Sequence, residues 1–263
     1  MLFRSEGRLL AGQPALELTL SVDWRQRHEL LRLEIPLARP ALRWAADTPA
    51  GVLERAAMPR TAREQARWEV AAVSWLASVG AGSAGGGVAV LLDGPQGVDA
   101  TAERLGVSLL RGPTWPDPGA DNGWQRQRLA LMPCGEGWRP ARVPLRARQF
   151  REPLWRHPVE TSGWNAAEDQ TPAWPELAAD LALVQLRLAA GGDAVLVAIQ
   201  NEGPCRRRFD PGSGWRVLAR LDGLGEPRAT AAGAEGSASA VLGPWELAFW
   251  LVQRRAGLGR PDI

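Results

Sequence analysis

Lysine and tyrosine do not occur in this sequence of 263 residues, and cysteine and histidine occur only twice each. The two cysteines, Cys134 and Cys205, are too few for a disulfide framework, so we expect two reduced thiols in a cytoplasmic protein. A zinc ion needs three or four ligands from histidine, cysteine or carboxylate side chains. Neither His28 nor His157 has a paired ligand at a suitable spacing, so we expect no metal and no other cofactor in this chain.

Long hydrophobic runs are also missing. The amino-terminal segment has no apolar core of the length that a signal peptide needs, and no run approaches the roughly 20 apolar residues that span a bilayer. The 31 basic residues nearly balance 29 acidic ones, and the two signs are interleaved along the chain. Nucleic-acid binding favours basic residues clustered on one face, so we expect neither a nucleic-acid nor a membrane partner, in spite of a pI near 9.0.

The stretch Gly87–Cys134 carries the strongest local signal. Loops rich in glycine, proline and aspartate separate three apolar runs, which are Val88–Leu92, Leu105–Leu110 and Leu129–Met132. Such runs predict adjacent strands of a β-sheet. The second loop, between Arg111 and Arg126, is too long and too unusual in composition for a minimal hairpin, and it is the predicted functional region.

Alternation of apolar and polar residues with a period of two predicts further strands. Leu16–Trp24 and Leu31–Leu37 alternate in this way, and we expect them to pair as an antiparallel hairpin. Thr61–Ser78 begins with a capping-box pattern but alternates around Trp68, and we interpret it as a loop followed by a strand. Val143–Phe150 is predicted as a weakly amphipathic strand.

A segment rich in proline and tryptophan divides the chain. Residues 152–175 contain no strand pattern, and five short apolar runs follow between Leu181 and Val252. This spacing is typical of an immunoglobulin-like sandwich. We therefore predict a large β-sandwich over residues 1–155, a linker over residues 156–178 and a smaller sandwich over residues 179–263.

The central stretch resembles a known protein family. The residues that carry the resemblance, without a gap, are Gly87, Val88, Ala89, Asp93, Gly94, Gly97, Asp99, Ser108, Leu109, Leu110, Arg111, Pro113, Pro116, Asp117, Pro118, Ala120, Asp121 and Gly123. This pattern is similar to the C-terminal region of glycoside hydrolase family 38, the retaining, zinc-dependent α-mannosidases. Weaker similarity extends along almost the whole chain.

The resemblance implies an all-β fold. The expected fold is the C-terminal part of an antiparallel super-sandwich of the galactose mutarotase-like type, followed by the smaller immunoglobulin-like sandwich. The resemblance also implies that the catalytic zinc and the aspartate nucleophile belong to an α/β barrel, for which this chain has no room. We therefore expect a separate α-mannosidase catalytic chain as a partner, zinc only in that chain, and no glycosidase activity of this chain alone.

The resemblance also implies that the loop between Arg111 and Arg126 helps to line a sugar site. The candidates for the substrate pocket are Arg111, Trp115, Asp117, Asp121, Gly123 and Trp124. Asp117 and Asp121 are four residues apart, and a retaining glycosidase does need two neighbouring carboxyl groups. Each aspartate nevertheless lies in a turn sequence, in which its carboxylate typically caps backbone N–H groups, so we predict no catalytic residue here.

Tryptophan is unusually frequent, with 13 residues against four phenylalanines. Indole rings stack on sugar faces, and Trp115 and Trp124 are the candidates because they belong to the loop. Other tryptophans fall on apolar strand faces and are predicted to fill cores. These predicted core residues are Trp24, Trp68, Trp75, Trp215 and Trp250.

The chain departs from the family pattern at four positions near the loop. Leu92 stands where members commonly carry asparagine, and Gln96 stands in place of tyrosine. Gln125 and Cys134 stand in place of histidines. These replacements remove polar or aromatic contacts, which disfavours an active role for this face.

Three hypotheses follow from the sequence. The first is a non-catalytic sandwich that supports α-mannoside hydrolysis only together with a separate zinc barrel, and it predicts an exposed apolar patch. The second is a stand-alone carbohydrate-binding or assembly module, or an inactive remnant; binding requires an aromatic-lined groove. The third is an independent hydrolase, which needs two carboxylates facing each other in a pocket.

Overall fold

A computed structural model describes residues 2–49, 51–80, 87–152, 177–178, 180–189, 194–228 and 240–255. The chain forms two compact units, Met1–Leu154 and Trp155–Ile263. Nearly all regular structure in the described residues is antiparallel β-sheet, so the predicted all-β class is confirmed. In the described ranges, no helix is both long enough and apolar enough to cross a membrane. The predicted linker lies almost wholly outside these ranges, and the domain bounds stay predictions.

The first unit contains eleven described strands and two described helices. In chain order they are β1 (Leu2–Leu9), β2 (Leu16–Trp24), β3 (Leu31–Pro36), β4 (Arg43–Thr48), β5 (Gly51–Ala56), α1 (Ala62–Gln65), β6 (Val70–Ala71), β7 (Trp75–Val79), β8 (Val88–Asp93), β9 (Gly97–Ala100), β10 (Arg104–Leu110), β11 (Gly123–Pro133) and α2 (Val143–Arg151). Seven strands form one sheet in the spatial order β1-β2-β11-β8-β7-β4-β5. The other four form a second sheet in the order β3-β10-β9-β6.

The two sheets pack through their apolar faces to form the main core of the first unit. Because side chains alternate between faces along a strand, one residue in two points into this core. The seven-stranded sheet contributes Leu20, Trp44, Ala46, Leu76, Val90, Leu92 and Leu129. The four-stranded sheet contributes Ile35, Val98, Leu105 and Val107.

Asp47, on β4, is a buried carboxylate that organises the segment leading into β7. It accepts hydrogen bonds from the backbone N–H groups of Val73, Ser74 and Trp75, at 2.9 to 3.2 Å. The Ser74 hydroxyl donates a further bond at 2.6 Å. This bonding stabilises the backbone where the chain approaches β7, since a buried polar group must be hydrogen-bonded.

The second unit has its own core. Its described strands are β12 (Leu181–Leu188), β13 (Ala194–Asn201), β14 (Arg207–Arg208), β15 (Trp215–Leu221), β16 (Val241–Leu242) and β17 (Leu247–Arg254). They form a four-stranded sheet in the order β12-β13-β17-β15 and a two-stranded pair, β14-β16. Trp250 and Phe209 lie in the core, with ring centroids 5.0 Å apart. The five apolar runs predicted after Leu181 all correspond to strands.

The predicted hairpin of Leu16–Trp24 and Leu31–Leu37 is wrong. Both segments are strands, but β2 pairs with β1 and β11 in the seven-stranded sheet, whereas β3 pairs with β10 in the other. The connection crosses from one sheet to the other, and the backbone N–H of His28 donates to the Gly112 carbonyl at 2.9 Å. Period-two alternation predicts a strand, but it does not predict the strand's partner.

The three apolar runs of the central stretch do not all lie side by side. The runs in β8 and β11 are paired, with Leu91 opposite Ala130. The run Leu105–Leu110 is β10, which lies in the opposite sheet between β3 and β9. The strand β1 was not predicted, because all eight of its residues are exposed and it has no buried apolar face.

The predicted strand Val143–Phe150 is the helix α2. Pro144 lies in the first turn, where the missing N–H costs no helical hydrogen bond. Val143 and Ala147 are four residues apart, so they share one helix face and are both buried. A spacing of four residues also fits the period of two of a strand. The alternation of apolar and polar residues in this segment therefore did not distinguish a helix from a strand.

The segment around Trp68 also differs from the prediction. The capping box forms, since Thr61 and Glu64 bond reciprocally to each other's backbone N–H groups, and α1 is a single helical turn. The short strand β6 begins at Val70 and β7 begins at Trp75, so Trp68 precedes both strands. Trp68 is 85% exposed, so its predicted core position is wrong, whereas Trp24, Trp75 and Trp250 are buried as predicted and Trp215 is partly buried.

Replacing Asp47 tests its structural role. The change Asp47→Ala leaves buried N–H groups without an acceptor, and we expect it to lower the free energy of unfolding by about 3 kcal/mol. Asp210→Ala is the matched control, because Asp210 is exposed and accepts one N–H bond at 2.8 Å from Gly212. Urea denaturation followed by tryptophan fluorescence measures both. Equal effects of the two changes would contradict the role of Asp47.

Candidate functional site

The predicted functional loop connects β10 to β11 across the two sheets. A β-bulge lies at the end of β10, where the pairing with β3 shifts between Ser108 and Leu110. Leu110 is consequently buried against Val22 and Trp24 in a small apolar cluster beneath the loop. A bulge bends a strand and changes the direction of the side chains that follow it. The loop therefore leaves β10 from a fixed, packed position.

Asp121 closes the loop at its base. One of its carboxylate oxygens, Oδ2, accepts the backbone N–H groups of Arg111 at 2.7 Å and Gly112 at 3.1 Å. Asp121 itself has a φ of 65°, in the left-handed region that aspartate tolerates better than most residues. Gly123, the first residue of β11, has a φ of 96°, which requires glycine at that position.

Asp117 forms a separate turn at the tip of the loop. Its Oδ1 accepts the backbone N–H of Gly119 at 2.9 Å, and its carbonyl accepts that of Ala120 at 3.2 Å. Both loop aspartates therefore bond to nearby backbone, as the turn interpretation predicts. This arrangement does not present a nucleophile and an acid on either side of a sugar.

A cavity of about 580 Å³ opens beside the loop. Its lining includes the side chains of Arg111 and Trp115, together with Glu29 and Glu69 from other segments. His28 also lines it and is hydrogen-bonded through Nε2 to the Thr114 hydroxyl at 3.2 Å. Trp115 is 83% exposed, so one face of its ring is open to solvent.

Trp124 lies away from this cavity. It is on β11 directly opposite Asp23 of β2, which points to the outer face of the seven-stranded sheet. The side chain is 67% exposed. The structure thus brings Arg111 and Trp115 together at one cavity and leaves Trp124 out of it. Asp117, Asp121 and Gly123 shape the loop backbone.

A group of charged side chains on the outer face of the four-stranded sheet was not predicted. The Arg32 guanidinium bonds to Glu69 at 2.6 Å and also to Asp99, and Arg104 contacts Asp99 at 3.0 Å. A Cβ at Gly106 would meet the ends of the Asp99 and Arg32 side chains, so a larger residue there would displace this crossing. The signal was available, since Arg32, Asp99 and Arg104 each stand next to a core residue in the alternating patterns of β3, β9 and β10.

The family departures have distinct structural roles. Leu92 and Cys134 are buried, and burial raises the pKa of the Cys134 thiol to about 11. Gln125 donates through Nε2 to the Asp121 carbonyl at 3.3 Å, so it supports the loop. Cys134 and Cys205 are both free thiols, and Cys205 is exposed.

A zinc ion does not fit the side chains of the described residues. No group of three or more histidine, cysteine, aspartate or glutamate side chains lies close enough in those ranges to hold a metal. His28 is bonded to Thr114, and His157 is outside the described residues.

Replacing Asp121 tests the closure of the loop. Asp121→Ala removes both hydrogen bonds and places alanine at a positive φ, which disfavours alanine by about 1–2 kcal/mol. We expect the amides of Arg111 and Gly112 to exchange with solvent about tenfold faster in this variant. Asp121→Asn keeps an oxygen acceptor, so we expect a smaller increase in the exchange rate. Asp117→Ala is the control, and amide hydrogen exchange is the measurement. Equally fast exchange in the control would contradict this account.

Sequence comparison relates this chain to known proteins. The family model for the glycosyl hydrolases family 38 C-terminal domain matches residues 3–119. Alpha-mannosidase 2C1 of Homo sapiens is 30% identical over 166 residues, which are 62% of this chain and 16% of that protein. Alpha-mannosidase 2C1 of Mus musculus is 28% identical over 166 residues, which are again 62% of this chain and 16% of that protein. The chain therefore spans 16% of the length of these relatives.

Structure comparison gives the same relationship for the fold. An alpha-mannosidase from Enterococcus faecalis V583 superimposes with a TM-score of 0.68 at 15% identity, over 95% of this chain and 28% of that one. A glycosyl hydrolase family 38 protein from Enterococcus faecalis superimposes with a TM-score of 0.66 at 13% identity, over 95% of this chain and 29% of that one. The expected resemblance is confirmed: residues 3–119 are similar to the glycosyl hydrolases family 38 C-terminal domain, and the fold is similar to those of the two solved structures.

Proposed function

We propose that this chain is a non-catalytic sandwich of an α-mannosidase-like glycoside hydrolase and that it supports α-mannoside hydrolysis only together with a separate catalytic part. The catalytic part would hold the zinc, and this chain would hold no cofactor. We also propose a cytoplasmic location. One observation carries the proposal, namely an apolar face that the described residues leave uncovered.

The uncovered face lies at the β1 end of the seven-stranded sheet. Phe3 is directly opposite the buried Val22, so it points to the core side of the sheet, yet it is 52% exposed. Leu9 and Leu16 are opposite each other on the same side and are also exposed. The side chains of Leu16 and Leu18 lie over Gly7. Four residues therefore define the uncovered face, which are Phe3, Leu9, Leu16 and Leu18.

The four-stranded sheet ends next to this face. Its edge strand is β3, which pairs with β10 on one side only in the described structure. Leu31 and Leu33 of β3 point to the core but are only partly buried. A strand added to β3 would satisfy its free backbone groups and cover the apolar side chains of β1 and β2. Contiguous exposed apolar surface of this kind marks a binding site for another polypeptide.

Lysine substitutions on β1 test the proposal. Phe3→Lys places a charge on the uncovered face, whereas Leu2→Lys places the same charge on the neighbouring residue, which points to the opposite face and is 65% exposed. The tagged chain is captured from its native cell extract and assayed with an aryl α-mannoside. We expect the wild-type chain and Leu2→Lys to recover α-mannosidase activity that a chelator abolishes. Phe3→Lys should lose most of it, since a buried charge without a partner is costly.

The same assay on the purified chain distinguishes the hypotheses. Turnover by the pure chain would overturn the non-catalytic role. If the wild-type chain captures no α-mannosidase activity, the proposal of a catalytic partner is overturned, and a binding module or a remnant is favoured. Equal recovery by Phe3→Lys and the wild-type chain would contradict the uncovered face as the contact.

A stand-alone carbohydrate-binding function is the second candidate, and it rests on Trp115. This exposed residue and Arg111 line the same cavity of about 580 Å³, which is a suitable size for a small ligand. A ring face and a directional hydrogen-bond donor together suit a sugar.

Paired tryptophan variants test this second candidate. We expect Trp115→Ala to weaken binding of mannose oligosaccharides about tenfold in calorimetry, because stacking of an aromatic ring contributes about 1 kcal/mol or more. Trp124→Ala is the matched control, as it removes an exposed ring that lies away from the cavity. Unchanged affinity of Trp115→Ala would exclude this cavity as a sugar site.

A further inference from the structure

A second cavity lies at the opposite end of the sandwich, where β5 and β6 are the edge strands of the two sheets. It has a volume of about 550 Å³, and the one-turn helix α1 borders it. Arg55 of β5 lies opposite Trp44, and Arg67 and Trp68 follow α1 in the chain. This cavity is separate from the predicted loop, and none of its residues was a predicted site residue.

Most of the charges around this cavity are already paired. Arg43 and Glu54 approach to 3.5 Å, and Arg104 contacts Asp99 at 3.0 Å. Glu69 pairs with Arg32 at 2.6 Å. These contacts neutralise one side of the cavity.

Glu64 is also occupied, because its Oε2 accepts the backbone N–H groups of Arg60 and Thr61 in the capping box. These bonds hold its pKa below the ordinary value, with a smaller contribution from the charge of Arg67. Glu64 therefore stays ionised in its cap at neutral pH. Arg67 interacts with this charge through the electrostatic field but forms no ion pair with it in the described structure.

Of the four arginines that line this cavity, Arg55 and Arg67 form no ion pair with a carboxylate of the described residues. The Arg55 guanidinium lies over the Trp44 ring, 5.0 Å from its centroid, and donates to the Leu53 carbonyl at 3.3 Å. Burial lowers the pKa of Arg55, and the positive charge of Arg67 lowers it further. Two guanidinium groups that repel each other across a cavity would both be stabilised by an oxyanion between them.

Trp68 supplies an apolar surface next to this charge. It is 85% exposed and lines the same cavity as Arg67, the residue before it. A large indole ring that is held out in solvent costs free energy unless something covers it. The cavity thus offers a flat ring beside two anion-binding groups.

We propose that this cavity binds an acidic monosaccharide, with its carboxylate or phosphate between Arg55 and Arg67 and its ring against Trp68. The two arginines alone indicate that the ligand carries an oxyanion. That the ring of the ligand is a sugar rests on the carbohydrate role proposed above. The volume suits one such ring and its substituent.

Calorimetric titration of the purified chain at low ionic strength tests the proposal. The probes are a hexuronate, a hexose 6-phosphate, the neutral hexose and inorganic phosphate. We expect both acidic sugars to bind more tightly than the neutral sugar and than inorganic phosphate, and the stronger of the two identifies the anionic group. Their affinity should fall as salt is added, because the arginines are accessible to solvent.

Variants at three neighbouring residues assign the contacts. Arg67→Gln should weaken binding of both acidic sugars about tenfold, which corresponds to about 1.4 kcal/mol. Trp68→Ala should weaken them similarly while leaving inorganic phosphate unchanged. Arg63→Gln is the matched control, since Arg63 lies on α1, four residues before Arg67, but outside the cavity lining, and this variant should bind as the wild-type chain does.

The outcomes separate the parts of the proposal. Absence of binding by every anion, or equal affinity of Arg67→Gln and Arg63→Gln, would overturn the site. If inorganic phosphate binds as tightly as the sugar phosphate, the site binds an oxyanion but does not recognise the sugar ring, and that part of the proposal is overturned. These results do not depend on a catalytic partner, so they are distinct from a failure of the proposed accessory role.

Discussion

The inner faces of the two sheets in the first unit must cover each other, and most other features follow from that requirement. Strand geometry alternates side chains, so placing Leu105 and Val107 in the core forces Gly106 and Ser108 to the outer face. Arg32 and Asp99 meet over Gly106, where a larger side chain would displace them. The charged outer face is therefore a consequence of the same alternation that builds the core.

Local chemistry determined what could be predicted from the sequence. The turns at Asp117 and Asp121 were predictable, because proline, aspartate and glycine act on backbone within a few residues of themselves. The strands were predictable from their period. The pairing of β2 with β11 was not, because it joins residues about a hundred positions apart and depends on the packing of the whole sandwich.

The same distinction applies to the candidate site. Trp115 and Trp124 are close in sequence and suggested one stacking platform, but β11 begins at Gly123 and its register points Trp124 to the outer face. Trp115 stays on the loop and faces a cavity whose other walls include His28 and Glu69. Those residues belong to distant segments, and no local pattern connects them to the loop. A sequence pattern can therefore predict a loop without predicting what lies across from it.

The two open ends of the sandwich differ in chemistry, and this difference separates their roles. At the β1 end, the core-facing residues include the exposed apolar side chains of Phe3 and Leu9. At the β5 end, the core side carries the charge of Arg55, with Arg67 nearby. An inward-pointing charge on an edge strand opposes addition of another strand, whereas an apolar edge favours it. A polypeptide partner thus fits the β1 end, and the β5 end is better suited to a small charged ligand.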